Sequence, residues 1–153
     1  MKKLVVFTGA GVSADSGLAT FRDSDGTWGN YRNEEVCIPE ALDFNRRGVV
    51  RFSNELSNRR STDDPARILP CDGGEQGFDD RAPDGSLLRP HIVFFGEPVP
   101  EFDRAAELAA GADILMVGGT SLAVYPAASL VRCVRPDIPV YVVDPGRPEN
   151  RGV

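Results

Sequence analysis

The sequence predicts an α/β protein built on a parallel sheet. Short apolar runs alternate with helical patterns, a glycine-rich turn follows the first run, and further turns follow two later runs. Strands that alternate with helices form parallel sheets, and ligands bind at the carboxyl ends of such strands. A chain of 153 residues has room for one domain with a hydrophobic core. We therefore expect a single domain over residues 1–153, with a ligand site at one edge of its sheet.

The first element is a predicted strand at Leu4–Phe7, whose apolar composition indicates burial on both faces. The next six residues, Gly9–Ala14, fit the pattern G-x-G-x-x-G/A. In this pattern the first glycine permits a tight turn, the second lets the backbone approach a pyrophosphate, and the third small residue lets a helix pack on the strand. A helix N-terminus also attracts phosphate. The turn therefore favours an adenine dinucleotide, although many glycine turns after strands bind no ligand.

The middle of the chain contains a helical stretch and an irregular one. Pro39 and Gly48 bracket a short predicted helix, with proline near its start and glycine past its end. Val49, Phe52 and Leu56 then recur at helical spacing. Residues 57–86 are rich in Asp, Gly, Pro, Ser and Arg, which predicts a long irregular loop. A loop of this length is uncommon inside a compact domain.

The last part of the chain returns to alternating elements. Ile92–Phe95 predicts a strand, and residues 102–110 predict a helix that Gly111 ends. A strand, a Gly-Gly-Thr-Ser turn and a helix begun near Pro126 follow, and "IPVYVVDPG" predicts another buried strand and a turn. Three turns thus follow the carboxyl ends of strands: Gly9–Ala14, Gly118–Ser121 and Asp144–Gly146.

Composition limits the classes of partner. A net charge of −6 and a pI near 4.8 argue against binding to nucleic acid or to an anionic membrane. The sequence shows no basic, apolar leader and no run long enough to span a bilayer, so we expect a cytoplasmic protein. The cysteines Cys37, Cys71 and Cys133 are far apart and form no C-x-x-C, so neither a zinc site nor a disulfide framework is predicted.

Three blocks, "TGAGVSADSGLATFRDSDGTW", "LRPHIVFFGEPVP" and "GGTSLAVYPAA", resemble signature blocks of the sirtuins, the NAD-dependent protein-lysine deacylases. The resemblance covers roughly residues 1–56 and 82–146. It implies a Rossmann-like parallel sheet with helices on both faces and NAD as cofactor, while the chain's departures from the family predict a reduced number of strands and no zinc module. It implies these NAD-binding residues: Gly9, Ala10, Gly11, Ser13, Ala14, Phe21, Arg22, Trp28, Gly119, Thr120, Ser121 and Asp144. Asp144 stands where the family often has an asparagine, and its carboxylate can equally accept hydrogen bonds from ribose hydroxyls.

The resemblance also implies an acyl-lysine peptide or protein as substrate, bound as an added strand through main-chain hydrogen bonds. The substrate-binding residues that it implies are Val93, Phe95, Gly96, Glu97, Val124 and Tyr125. Alternation along a strand directs only one residue of the Phe94–Phe95 pair toward a ligand, and we expect Phe94 to belong to the core.

The chain departs from the sirtuin pattern at the residues that carry the reaction. It has no Q-N-x-D block, which shapes the nicotinamide pocket, and no H-G-E, whose histidine is the general base. The four zinc cysteines of most sirtuins are missing too, and these internal losses fall between Arg60 and Ala82. The family's last strand and helix also have no counterpart up to Val153. A general base typically raises the reaction rate by roughly 10²–10⁴-fold. Because the residue that supplies this base in the family is missing here, we assign no catalytic residue.

The only histidine, His91, could replace the missing base by residue type alone. On a strand it would lie about 6.6 Å before Val93, and the family's base comes from a separate strand. Sirtuins that prefer acidic acyl groups carry a Tyr-x-x-Arg pair, which falls at Ser53 and Leu56 here. Neither residue can make a charge-assisted contact to a succinyl or malonyl carboxylate.

Three functions remain open from the sequence. The first is a deacylase that is weak or needs a partner chain to complete its fold. The second is a catalytically inactive module that binds NAD or ADP-ribose. The third is a non-functional fragment.

Overall fold

The computed structural model describes residues 1–16, 31–56, 60–61, 68–69 and 74–145. The chain divides into two compact units. The first, here called the sheet unit, comprises Met1–Thr27 and Val99–Val153, and the second, here called the helical unit, comprises Trp28–Pro98. The expectation of a single domain stays a prediction, and each unit is described by itself.

In its described part, the sheet unit contains a parallel sheet of three strands: β1 at Leu4–Thr8, β5 at Ile114–Gly118 and β6 at Val140–Val143. Their order in the sheet is β1–β5–β6. The register pairs Thr8 with Gly118, and Gly118 with Val143, so the three strands end at one edge of the sheet. The predicted parallel α/β sheet with a reduced number of strands is therefore confirmed.

Three helices accompany this sheet within the described residues of the unit. A 3₁₀ helix at Ala10–Ser16 begins one residue after β1, so most of the predicted Gly9–Ala14 turn takes this tight helical form. Helix α4 spans Phe102–Ala110 and ends at Gly111, whose N–H donates to the Glu107 carbonyl at 3.1 Å, as the sequence predicts. A second 3₁₀ helix at Ala127–Arg132 begins directly after Pro126. No helix among the described residues is long and apolar enough to cross a membrane.

The core of the sheet unit lies on one face of its sheet. Leu115 and Val117 of β5 are buried against Ala128 and Val131 of the second 3₁₀ helix. Val5 and Phe7 of β1 pack against the same cluster and are partly buried. These residues share a face because side chains alternate between the two faces of a strand.

The opposite face of the sheet is exposed. Leu4 and Val6 of β1 and Tyr141 and Val143 of β6 are each more than half exposed. The remaining residues of β6, which is an edge strand, are exposed as well. The predictions of a first strand buried on both faces and of a buried last strand are therefore wrong. Apolar composition indicates a strand, but burial also requires an element that packs on it.

The helical unit begins with three helices: α1 at Asn33–Val36, α2 at Ala41–Phe44 and α3 at Arg46–Leu56. It also contains a small antiparallel sheet in the order β3–β2–β4, formed by Arg60–Ser61, Ile68–Leu69 and Arg89–Pro90 as β2, β3 and β4. Val49, Val50 and Phe52 of α3 are buried. The helical spacing read at Val49 and Phe52 is thus confirmed.

Gly48 lies inside α3 rather than past the end of the preceding helix, so that prediction is wrong. Helix α2 ends instead at Asn45, whose side-chain amide donates to the Glu35 carbonyl at 2.9 Å. A Cβ atom on Gly48 would lie 2.8 Å from Cγ of Asn45. Glycine at position 48 therefore leaves room for the side chain that ends α2.

The segment predicted to be an irregular loop contains β2 and β3, and its last part is bound to α3. The Asn54 side chain exchanges two hydrogen bonds with the Gln76 backbone, each 3.0 Å long. The Gln76 side chain donates to the Leu88 carbonyl at 2.9 Å. Arg46 donates to the carbonyls of Phe78 and Leu88. Polar composition predicted irregular backbone, but it could not show that Asn54 and Arg46 of α3 bind the last part of this segment.

Candidate functional site

The turns that follow the three parallel strands meet at one edge of the sheet unit. The Gly9 N–H donates to the Gly118 carbonyl at 3.3 Å, and the Gly119 N–H donates to the Val143 carbonyl at 3.3 Å. Each turn therefore begins directly beside the end of the neighbouring strand. This edge is where ligands bind in parallel α/β sheets.

Two of the turns contact each other through glycines. The Gly11 N–H donates to the Gly119 carbonyl at 2.9 Å, and Gly119 has a φ of +58°. A Cβ on Gly11 would lie 2.7 Å from that carbonyl oxygen, and one on Gly9 would lie 2.7 Å from Cβ of Thr120. The sequence pattern attributed Gly11 to the close approach of a pyrophosphate. In the structure, contact between the two turns already requires glycine at both positions.

The polar side chains around these turns suit a nucleotide. Ser13, Thr120, Ser121 and Asp144 are all partly buried in the sheet unit. Thr120 Oγ1 accepts a hydrogen bond from the Leu122 N–H at 3.2 Å, and its hydroxyl hydrogen remains able to donate. Hydroxyl donors suit phosphate oxygens, and a carboxylate suits ribose hydroxyls. The chemistry of this donor set therefore fits NAD.

Of the other predicted NAD-binding residues, some lie in the described part of the chain and some do not. Ala10 and Ala14 lie in the first 3₁₀ helix, next to Gly9 and Gly11. Phe21, Arg22 and Trp28 lie outside the described residues. Leu122 was not singled out in the sequence, although its φ of +54° shapes the turn after Ser121. No local sequence signal marks a leucine in that conformation.

The predicted substrate-binding residues belong to both units. Val93, Phe95, Gly96 and Glu97 lie in the helical unit, whereas Val124 and Tyr125 lie in the sheet unit. Val93 and Phe95 are 48% and 45% exposed, and Val124 and Tyr125 are more than half exposed. Phe94 is 2% exposed, which confirms its prediction as a core residue.

The segment at Ile92–Phe95 is not a strand, and that prediction is wrong. The Glu97 N–H donates to the Phe94 carbonyl at 3.1 Å, and Gly96 has a φ of +91°, so the backbone turns there. The Phe95 N–H donates to the Cys37 carbonyl at 2.8 Å. Residues of a strand need a neighbouring strand, and this segment bonds to a loop and to itself.

A partly buried ion pair closes this turn. Arg89 Nη1 lies 2.7 Å from Glu97 Oε1, and Arg89 Nη2 lies 2.9 Å from Glu97 Oε2. Glu97 Oε2 also accepts the Phe94 N–H at 2.9 Å. The guanidinium carbon of Arg89 lies 4.4 Å from the centroid of the Phe94 ring. We call this set of contacts the Arg89–Glu97 clip.

The clip determines the charge state of Glu97. Burial alone would raise the pKa of this carboxyl, but the hydrogen bonds from Arg89 and from the Phe94 N–H, with the positive charge of Arg89, lower it overall. The carboxylate is therefore bonded within the protein, whereas the resemblance had placed it among substrate-binding residues. No local sequence pattern links residues eight positions apart, so the role of Arg89 could not be predicted from the sequence.

Three other predicted positions can be compared with the structure. Ser53 is buried, and its hydroxyl has no hydrogen-bond partner among the described residues. His91 is partly buried within a bend of the helical unit, not on a strand. Burial raises the pKa of the Cys37 thiol to about 11. In the described part of the chain, no group of three His, Cys, Asp or Glu side chains could hold a metal ion.

The sequence of this chain is similar to those of proteins in one family. The Sir2 family model matches residues 9–67 and 51–126. An NAD-dependent protein deacylase from Aggregatibacter actinomycetemcomitans is 36% identical, over 92% of this chain and 92% of that protein. One from Bacteroides thetaiotaomicron is 34% identical, over 95% of this chain and 86% of that protein. The alignments span 192 and 201 positions, so both relatives contain residues that have no counterpart in this chain.

Solved structures of similar fold include complexes with nucleotides. A Sir2 homolog–NAD complex superimposes with a TM-score of 0.77 at 26% identity, over 92% of this chain and 76% of that one. A Sir2 homologue mutant bound to ADP ribose superimposes with a TM-score of 0.80 at 26% identity, over 92% of this chain and 78% of that one. With the family model matching most of its length and relatives above 30% identity aligned nearly end to end, the chain belongs to the Sir2 family.

Proposed function

We propose that this protein binds NAD at the edge of the sheet unit where β1, β5 and β6 end. The observation that carries the proposal is the register, which pairs Thr8 with Gly118 and Gly118 with Val143 and so brings three turns together. A glycine turn, three hydroxyl side chains and a carboxylate then border one edge. The Sir2 relatives that share this fold are NAD-dependent protein deacylases.

The NAD-binding residues divide by chemistry. The turn from Gly9 to Ala14 would hold the pyrophosphate, with the Ser13 hydroxyl beside it. Gly119, Thr120 and Ser121 would contact phosphate and ribose, and Asp144 would accept hydrogen bonds from ribose hydroxyls. Family resemblance adds Phe21, Arg22 and Trp28 to the same loop. NAD, when bound, supplies the ribose carbon that receives the acyl oxygen as nicotinamide leaves.

The proposed substrate is an acyl-lysine peptide or protein. Family resemblance assigns peptide docking to Val93, Phe95, Gly96 and Glu97 in the helical unit, and to Val124 and Tyr125 in the sheet unit. The proposed reaction is deacetylation rather than removal of an acidic acyl group. Ser53 supports this preference, because it is buried and carries no charge to pair with an acyl carboxylate.

We propose that turnover by the chain alone is weak or requires a partner chain that completes the fold. The missing Q-N-x-D and H-G-E blocks support this, as do the alignment positions that relatives fill and this chain does not. The same observations favour a second candidate, a catalytically inactive module that binds NAD or ADP-ribose. In either case we propose one truncated sirtuin-like domain over residues 1–153, with an irregular segment at 57–86, in the cytoplasm.

A thermal-shift titration with NAD and with ADP-ribose tests the proposal. A ligand present at 100 times its Kd adds about 2.7 kcal/mol to stability, which gives a clear increase in Tm. Inorganic pyrophosphate at the same concentrations is the control for general anion binding. An absent shift with both nucleotides would contradict the proposal and favour a non-functional fragment. Release of acetyl groups from an acetyl-lysine peptide then distinguishes the enzyme from the inactive module.

A further inference from the structure

We infer that Arg89 and Glu97 are positioning residues for the substrate, because the clip that they form holds Val93 and Phe95 outward where a peptide would dock. The inference rests on the proposed function, in which this segment of the helical unit receives an acyl-lysine peptide. Arg89 thereby gains a role that no sequence pattern indicates, and the role of Glu97 changes from contact with substrate to support of the segment that makes contact.

The clip ties the segment down at several points along its backbone. Glu97 bonds Arg89 through both carboxylate oxygens and accepts the Phe94 N–H through one of them. Arg89 Nη2 also donates to the Ile92 carbonyl at 3.2 Å. The backbone groups of residues 92 and 94 are therefore fixed on either side of Val93. A bidentate guanidinium–carboxylate pair adds geometric specificity as well as energy.

The core fixes which side chains point outward. Phe94 packs with Ala41 and Val49 in a buried cluster, and its ring lies beneath the Arg89 guanidinium. Val93 and Phe95, the chain neighbours of this buried ring, are 48% and 45% exposed. Outside the clip, the segment is held by the buried Phe94 side chain, by Ile92, which packs against the same cluster, and by backbone hydrogen bonds such as that from the Phe95 N–H to Cys37.

The backbone at Val93 is suited to an added strand. Neither its N–H nor its carbonyl has a hydrogen-bond partner within the part of the chain that the structure describes. Unpaired backbone groups on an exposed segment are what a bound peptide strand uses. The Glu97 carboxylate, by contrast, already accepts three hydrogen bonds and so serves the peptide only by holding this backbone in place.

Binding of a fluorescein-labelled acetyl-lysine peptide, with and without saturating ADP-ribose, tests the inference. Glu97→Gln should weaken peptide binding about tenfold, because one charged acceptor is lost and an amide faces the guanidinium. Arg89→Lys should weaken it less, since it keeps the charge without the fork. ADP-ribose affinity, measured by calorimetry, should stay within about twofold of the parent for both variants. Glu34→Gln is the matched control, because it removes a largely exposed ion pair with Arg32 in the same unit.

The outcomes separate positioning from general stability and from failure of the proposed function. Unchanged peptide binding in Glu97→Gln, or an equal loss of peptide and ADP-ribose affinity, would overturn the inference. A parent chain that binds no peptide would overturn it as well. A parent chain that binds peptide but not ADP-ribose would refute NAD binding and leave the clip supported if Glu97→Gln still loses peptide affinity. If Glu97→Gln does not fold, Arg89→Lys gives the same comparison.

Discussion

The backbones of Gly11 and Gly119 contact each other directly, with the Gly11 N–H donating to the Gly119 carbonyl at 2.9 Å. A Cβ on Gly11 would approach Cα of Gly119 to 3.0 Å. We therefore expect Gly11→Ala to lower the free energy of unfolding by about 1–3 kcal/mol, because the added Cβ would push the two backbones apart and weaken the hydrogen bond between them. Urea denaturation at neutral pH measures this change.

Gly111→Ala is the matched control in the same unit. Its added Cβ would meet first the flexible end of the Lys3 side chain, at 3.3 Å. Its free energy of unfolding should stay within about 0.5 kcal/mol of the parent. Equal stability of Gly11→Ala and Gly111→Ala would contradict the contact between the two turns. Gly11→Ala would displace the turn even without ligand. A loss of ADP-ribose affinity in this variant would therefore not show that the turn binds phosphate.

Asp144 gives a more direct test of the nucleotide site, because it follows β6 at the edge where the turns meet. Asp144→Ala should weaken ADP-ribose binding by about 1–3 kcal/mol, the usual contribution of hydrogen bonds to a charged group. Asp144→Asn should retain most of the affinity, since an amide oxygen still accepts from a ribose hydroxyl. Calorimetric titration measures both. Parent-like affinity in the alanine variant would make Asp144 a turn residue before Pro145.

The Arg89–Glu97 clip predicts a specific dependence of stability on pH. The folded protein lowers the pKa of Glu97, so its contribution is fully present above the unfolded pKa of about 4.3 and is lost as pH falls through the folded pKa. At pH 7 the parent should be more stable than Glu97→Gln by about 1–3 kcal/mol. This difference should shrink below about pH 4.3. Urea denaturation of both proteins between pH 7 and acidic pH measures this difference. A difference in the free energy of unfolding that increased as the pH fell would refute the role of the clip.

The environment of Ser53 predicts that its replacement by alanine does not destabilise the protein. Its buried hydroxyl has no hydrogen-bond partner in the described ranges. An unpaired buried hydroxyl costs free energy, so Ser53→Ala should leave the free energy of unfolding unchanged or raise it by about 1 kcal/mol. Ser53→Asn, which adds polar atoms at the same position, is the contrasting variant and should destabilise. A loss of more than about 1 kcal/mol in Ser53→Ala would mean that the hydroxyl has a partner in solution.

His91→Ala should leave any measurable deacylation unchanged. His91 lies in a bend of the helical unit and not on a strand shared with Val93 and Phe95, which removes the argument for placing it beside a substrate. A general base must reach its proton directly or through one water. The measurement is the deacetylation rate, with ADP-ribose affinity as the control. A tenfold loss of rate at unchanged affinity would make His91 a relocated base.

Local sequence patterns were sufficient for the elements that position the site. Apolar runs located β1, β5 and β6, and α4 runs from Phe102 to Ala110 as its helical pattern indicated. The alternation of strands and helices was sufficient for a parallel sheet with its turns at one edge. These features depend on residues close together in the chain, which is why the sequence alone predicts them.

Features that depend on distant residues were not predictable in this way. The burial of a strand depends on what packs against it, and β6 is exposed although its four residues are all apolar or aromatic. The Ile92–Phe95 segment looks like a strand in isolation, but Arg89, Glu97 and Cys37 hold it as a turn. Gly48 looked like a helix end, yet its role is to accommodate Asn45. Each error comes from a contact that no local pattern encodes.

The exposed face of the sheet limits how the purified protein can be handled. Leu4, Val6, Tyr141 and Val143 present apolar surface to water, and large patches of this kind promote precipitation. At pH 7 a net charge of −6 keeps molecules apart. That repulsion vanishes near the pI of about 4.8 and is screened by salt. Solubility should therefore be lowest near pH 4.8, and concentrated stocks should keep best in alkaline buffer of low ionic strength.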